Sequence, residues 1–183
     1  MKKIDQPQPG EYAPYASMYI DLLPDDGLVL QHQAANLTAT KALLRDLPEE
    51  KLMRRYAANK WTIKEILLPL SDDERIHAYR ALRFARNDQT ELPGFEQDDY
   101  ARHSGANARS LADLLREFTT VRRATLSLFA GLEPRAFTRC GVANGTRMSV
   151  RAIAYHIAGH ELHHCHLIKT RYLNQPANLL PLL

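Results

Sequence analysis

Apolar side chains recur every three or four residues through four long stretches of the chain, and this spacing is the strongest constraint on its fold. At 3.6 residues per turn it draws one apolar stripe along each stretch, and such a stripe is best buried against other helices. β-Branched alternation bounded by turn pairs is nearly absent, so the expected class is all-α, a four-helix bundle. The first helix follows Pro24-Asp25-Asp26 and runs to about Asp46, where Leu47-Pro48 stops it. The second starts behind the capping box Thr62-Ile63-Lys64-Glu65 and reaches about Ala85. The third covers roughly Asn107 to Ala130 and ends at Gly131; the fourth runs from an N-cap at Ser149 to about Leu173. The connections are long, about 15 to 20 residues, so the segment from Asn87 to Ala106 permits an up-down-down-up path as well as a simple alternating one.

A chain of 183 residues fits one domain, and 45% hydrophobic with 25% charged residues suits a folded core rather than a disordered segment. An arm over residues 1–23, carrying Tyr12, Tyr15 and Tyr19, is expected to pack on the bundle, and an apolar tail over 174–183 follows it. The 24 basic and 21 acidic residues are dispersed, which argues against a nucleic-acid partner. The basic stripe Arg80, Arg83 and Arg86 reads as a solvated helix end. Two cysteines and no apolar leader after Met1-Lys2-Lys3 point to the cytoplasm, and no stretch is long and apolar enough for a membrane span. Cys165 reads as a small buried hydrophobe.

Chemistry concentrates between Tyr155 and His166, which holds five of the eight histidines. With Val150 as zero, His160 and His164 point to about 280° and 320°, inside the apolar stripe of Ile153 and Ile157. Two imidazoles at i and i+4 can share one cation, and metal ligation would offset the cost of burying them. His156 and His163 fall at the stripe's edge and His166 faces away, so these read as surface residues or as supports for the ligands. His160-Glu161-x-x-His164 also spells the zincin motif, in which the glutamate is the catalytic base. No downstream acid is available as a zincin third ligand, and His166 is misdirected, so proteolysis is the weakest reading. Glu161 is the candidate catalytic residue or a support for the ligands, on a position where an exposed carboxylate is the common outcome.

Several motifs taken together resemble the DinB-like (DinB/YfiT) superfamily across almost the whole chain. They are Gly10-Glu11-Tyr12-Ala13-Pro14-Tyr15, Lys60-Trp61-Thr62-Ile63-Lys64-Glu65, Asp72-Asp73-Glu74-Arg75, Tyr79 to Arg86, Leu92-Pro93-Gly94-Phe95 and Ala158 to His164. The resemblance implies an up-down-down-up bundle, commonly a homodimer. It also implies a divalent metal, nickel or zinc, on one histidine of the second helix and two of the fourth, the latter being His160 and His164. It implies the chemistry of a hydrolase or of a transferase using a small-molecule thiol.

One position departs from the pattern. The second-helix histidine belongs eight places after Trp61, where this chain has Pro69. Proline cannot ligate, and in a helix interior it removes a hydrogen bond, so a kink is expected near Leu68-Pro69. Asp73 and His77 face the same core, at about 280° and 320° from Ile63, and either could hold a displaced metal or form a carboxylate–imidazole network without one. The expected function is therefore a metal-dependent enzyme with an altered site, against the alternative of a metal-free binding protein.

Overall fold

A computed structural model describes residues 2–176, so the apolar segment 179–183 lies outside the described residues. The helices are α1 (Ser17–Ile20), α2 (Val29–Leu44), α3 (Glu49–Leu52), α4 (Ile63–Ala85), α5 (Gln97–His103), α6 (Leu111–Gly131) and α7 (Val150–Leu167). A π-helical turn, Ile168–Tyr172, extends α7. The four expected helices are α2, α4, α6 and α7. Thr62 caps α4 as its sequence predicts: its Oγ1 accepts from the Glu65 amide at 3.0 Å and Glu65 Oε2 accepts from the Thr62 amide at 2.8 Å. Ser110 and Ser149 cap α6 and α7 in the same manner. Helix α4 is assigned as one continuous helix through Pro69, which is buried within it.

The all-α expectation needs one addition. Strands β1 (Cys140–Ala143) and β2 (Thr146–Ser149) form an antiparallel hairpin between α6 and α7. Asn144 and Gly145 both have positive φ, 52° and 66°, the conformation a two-residue hairpin turn requires. Leu92 then bonds along β1, accepting from the Asn144 amide and donating to the Val142 carbonyl, each at 3.0 Å. This ties the long α4–α5 connection to the hairpin.

Two apolar clusters fill the bundle. One gathers Ile20, Val29, Phe84, Phe129 and Ile153; the other gathers Leu44, Ile63, Leu67, Leu114, Phe118 and Ile168. Helices α2 and α7 pass from the first cluster to the second, and α4 and α6 pass from the second to the first. Between the clusters each helix contributes polar side chains to a buried middle layer.

Arg122 of α6 is the centre of that layer, with 1% of its surface exposed. Its Nε and Nη2 donate to Glu74 of α4 at 2.8 and 2.9 Å, and its Nη1 donates to Glu161 of α7 and to the Gln33 carbonyl of α2, both at 2.7 Å. Burial works against the guanidinium charge, but the Glu161 and Glu74 carboxylates overcome it and push its pKa upward. Thr40 Oγ1 donates to the remaining Glu161 oxygen at 2.6 Å. All four long helices thus meet at one cation. Replacing Arg122 by Met would leave two buried carboxylates without their partner and should cost about 3–5 kcal/mol in urea unfolding. Loss of less than 1 kcal/mol would show that the triad does not hold the bundle.

Candidate metal centre

Asp73 gathers imidazoles from two helices. Its Oδ2 lies 3.3 Å from His160 Nδ1 and 3.5 Å from His156 Nε2, and its Oδ1 lies 3.1 Å from His77 Nδ1. One donor atom from each of Asp73, His156 and His160 falls within 4.8 Å of the others, and all three residues are buried. His77 supports the group from behind. Its Nδ1 is 3.0 Å from the Asp73 carbonyl, and its ring stacks on His156 with centroids 4.2 Å apart.

Burial alone would raise the Asp73 pKa, but the neighbouring charges of His77 and His160 outweigh it and hold the carboxyl well below its ordinary range. Burial pushes His156 down to about 4, with His77 adding to the effect and Asp73 opposing it. Burial likewise holds His164 well below its ordinary value. An ionised Asp73 and a neutral His156 are thereby in the protonation states that ligate metals.

Neither ring nitrogen of His156 makes a hydrogen bond, Nε2 only approaching Asp73 Oδ2 at 3.5 Å, and the buried Nδ1 of His164 also makes none. An unsatisfied buried imidazole is costly, and a cation at Asp73 would engage the His156 nitrogen that faces it. Two histidines, one carboxylate and an open position form the donor set of catalytic zinc sites and of two-histidine-one-carboxylate iron sites. The residues present therefore fit a divalent ion.

The register differs from the sequence expectation. His160 joins Asp73 with His156, which the helical wheel assigned to the stripe's edge, rather than with His164. His164 lies one turn further on: its Nε2 is 3.0 Å from His160 Nε2, and its ring lies parallel to Trp61 at 6.2 Å. Trp61 beside His164 and Asp73 beside His156 and His160 show that α4 and α7 run past each other in opposite directions. The wheel misplaced His156 because it counts only direction about its own helix axis. Here α4 covers that edge through His77 and the arm covers it through Tyr19, whose ring meets His156, His160 and His163 edge-on at 5.2, 5.3 and 5.4 Å.

Two further readings need correction. Glu161 is 1% exposed, not a surface carboxylate, and its oxygens are engaged by Arg122 and Thr40 instead of facing the donor group. Arg80 is not at a solvated helix end: it is 6% exposed, while Arg83 pairs with Asp88 at the surface. Cys165 is a buried free thiol, as expected, and burial pushes its pKa up to about 12. Arg122 escaped sequence reading although it sits in register with Leu114, Leu115, Phe118, Val121 and Phe129 on the buried face of α6, an anomalous place for a charge.

A cavity of 180 Å³ opens onto the group, lined by Tyr15, Tyr19, Asp73, Arg80, His156 and His160 among others. A larger surface groove of 620 Å³, lined by Arg55, Trp61, Glu65 and Arg102, contains no member of the donor group. The smaller cavity is the one with the chemistry.

The family model of the DinB superfamily matches residues 34–168, and the chain belongs to that superfamily. Among solved structures it is similar to YfiT from Bacillus subtilis, described as a probable metal-dependent hydrolase with an unusual four-helix bundle topology. The two share 12% identity with a TM-score of 0.65, over 93% of this chain and 94% of that one, a likeness of fold. No curated protein matches the chain.

The arm reaches the histidines because Gly159 has no side chain. A Cβ on Gly159 would lie 2.1 Å from the Tyr19 carbonyl oxygen, a backbone atom that cannot swing aside. Gly159→Ala gains up to about 1 kcal/mol of helix propensity. Overpacking costs about 1–3 kcal/mol, and against backbone the upper end should win. The expected result is net destabilisation with faster amide hydrogen exchange over residues 17–23. Unchanged exchange there would show that the arm is not seated on Gly159.

Proposed function

We propose that this chain is a metal-dependent enzyme of the hydrolase or thiol-transferase class, with a divalent ion held by Asp73, His156 and His160. The buried Asp73–His156–His160 group, with His156 otherwise unsatisfied, is the observation that carries this reading. The superfamily and the description of the YfiT neighbour as a probable metal-dependent hydrolase support it. The up-down-down-up path belongs to the same proposal, supported by the opposite sense in which the two helix pairs cross the apolar clusters. So do a small-molecule substrate and a homodimer, both on family resemblance.

Zinc or nickel suits the donors, and either would supply Lewis acidity to a water, a thiol or a substrate oxygen. The chain's own residues set the conditions. Asp73 supplies the negative charge and fixes the His77 ring, His77 backs His156 by stacking, and Tyr19 shields the imidazole edges from water. Gln97 Nε2 sits 3.5 Å from His160 Nε2 and lines the same cavity. Glu161 has no part in this reading, since Arg122 and Thr40 occupy it.

The metal-free alternative keeps a specific observation: Asp73 already meets three imidazoles, and His160 and His164 approach each other directly. Calorimetric titration of chelator-treated protein with Zn²⁺ and Ni²⁺ separates the two. One ion per chain should bind, with at least about a hundredfold loss of affinity in Asp73→Ala and His156→Ala and less than about tenfold in His164→Ala. Loss in His164→Ala with retention in His156→Ala would move the ion to the other histidine pair. No binding to the unaltered protein would leave the carboxylate–imidazole network as the reading.

A further inference from the structure

Among the described residues Arg80 has no carboxylate in direct contact. It lies in α4 and is 6% exposed. Its Nη2 donates to the Pro93 carbonyl at 3.1 Å, its Nη1 approaches His77 Nε2 at 3.4 Å, and its guanidinium stands 5.8 Å from the centre of the Phe95 ring. None of these partners is a carboxylate. Among the described residues no acid lies within ion-pair distance of Arg80; the acid that acts on it through space, Asp73, is shared by three histidines. Arg122 offers the contrast: that cation, more deeply buried still, has two glutamates in contact.

Holding a guanidinium largely out of water without an adjacent anion is unfavourable. Here the cost falls at the wall of the 180 Å³ cavity that also contains Asp73, His156 and His160. The His77 ring bridges the guanidinium and Asp73, with contacts of 3.4 Å on one side and 3.1 Å on the other. A ligand bonded to Arg80 therefore reaches the donor group across the width of one imidazole. Phe95 and Met148 give the cavity an apolar flank, and its volume is close to that which accepts a benzene-sized molecule, roughly 150 Å³.

We propose that Arg80 is the substrate anchor of this site, binding the carboxylate of a small organic acid, roughly three to five carbons long, whose reacting group then faces Asp73, His156 and His160. The planar fork of the guanidinium matches a carboxylate, and the pairing replaces the missing internal anion. This rests on the metal reading only for what reacts at the far end of the ligand. The anion site stands or falls with Arg80 itself.

The test titrates L-lactate and mercaptoacetate into metal-free and zinc-loaded protein, with lactamide, 2-mercaptoethanol and inorganic phosphate as comparators, alongside thermal unfolding. The acids should bind at least tenfold tighter than their uncharged analogues. Arg80→Gln should lose at least tenfold in acid affinity while zinc stoichiometry is kept, and Arg80→Lys, which keeps the charge, should retain part of it. Equal binding of acid and uncharged analogue, or wild-type acid binding by Arg80→Gln, would overturn the anchor, as would phosphate binding tighter than either acid. Should Arg80→Gln fail to fold, the acid preference of the unaltered protein and the partial retention in Arg80→Lys decide the matter. Arg80-dependent acid binding in protein that takes up no zinc would overturn the metal reading and support the anchor; no acid binding in either form would overturn the anchor alone.

Discussion

The contact on which the rest of the structure depends is the bridge from Arg122 to Glu74 and Glu161. Glu74 follows Asp73 in α4, and Glu161 follows His160 in α7. Fixing the two glutamates on one guanidinium therefore fixes the height at which Asp73 meets the histidines. A slip of one turn would set Leu70 or Ala78 in place of Glu74, and Ile157 or Cys165 in place of Glu161. Each leaves a buried charge against a side chain that cannot neutralise it, at a cost of several kcal/mol. Apolar clusters tolerate such slips far better, since one aliphatic side chain substitutes for another. The polar layer sets the register, and the clusters above and below supply the driving force.

That register explains how the donor group can survive Pro69. The histidines of α7 recur every four residues at 156, 160 and 164, a ladder along one side of the helix. Position 73 lies four residues after 69 in α4, which runs against α7, so a step forward in one helix matches a step backward in the other. A donor at 73 therefore meets His156 and His160, whereas the resemblance implies one at 69 beside His160 and His164. The ladder already offers the rung that the new position needs. In the proposed site the carboxylate of Asp73 would stand where the resemblance implies a neutral imidazole, which would lower the net charge of the donor set by one.

Much of the fold was legible because local rules agreed with the tertiary outcome. The Thr62 box, the Ser149 cap, the stop at Pro48 and the apolar stripes all mark helices that exist. The hairpin was missed although Asn144-Gly145 is a strong turn signal, because its strands are only four residues each and lack β-branched alternation. Asp73, His77 and His160 were legible as core-facing polar residues. His156 and Glu161 were not, because each lies at the edge of its helix's stripe, and Arg80 was not, because it was grouped with Arg83 and Arg86 as a solvated helix end; in all three, burial is decided by a neighbour remote in sequence. Tyr19 covers His156, Arg122 reaches Glu161, and the Pro93–Phe95 segment closes over Arg80. Single-helix geometry contains none of these partners.

The close seating of Tyr19 on Gly159 has a consequence for how such a protein can diversify. The bundle supplies the donors, whereas much of the wall around them comes from segments outside the long helices: the arm, the Pro93–Phe95 loop and the hairpin. These pieces are free of the register that Arg122 imposes. Their side chains can vary while the helix register stays fixed, so the shape of the chamber is written largely in segments outside the long helices, with Arg80 of α4 the polar exception on its wall.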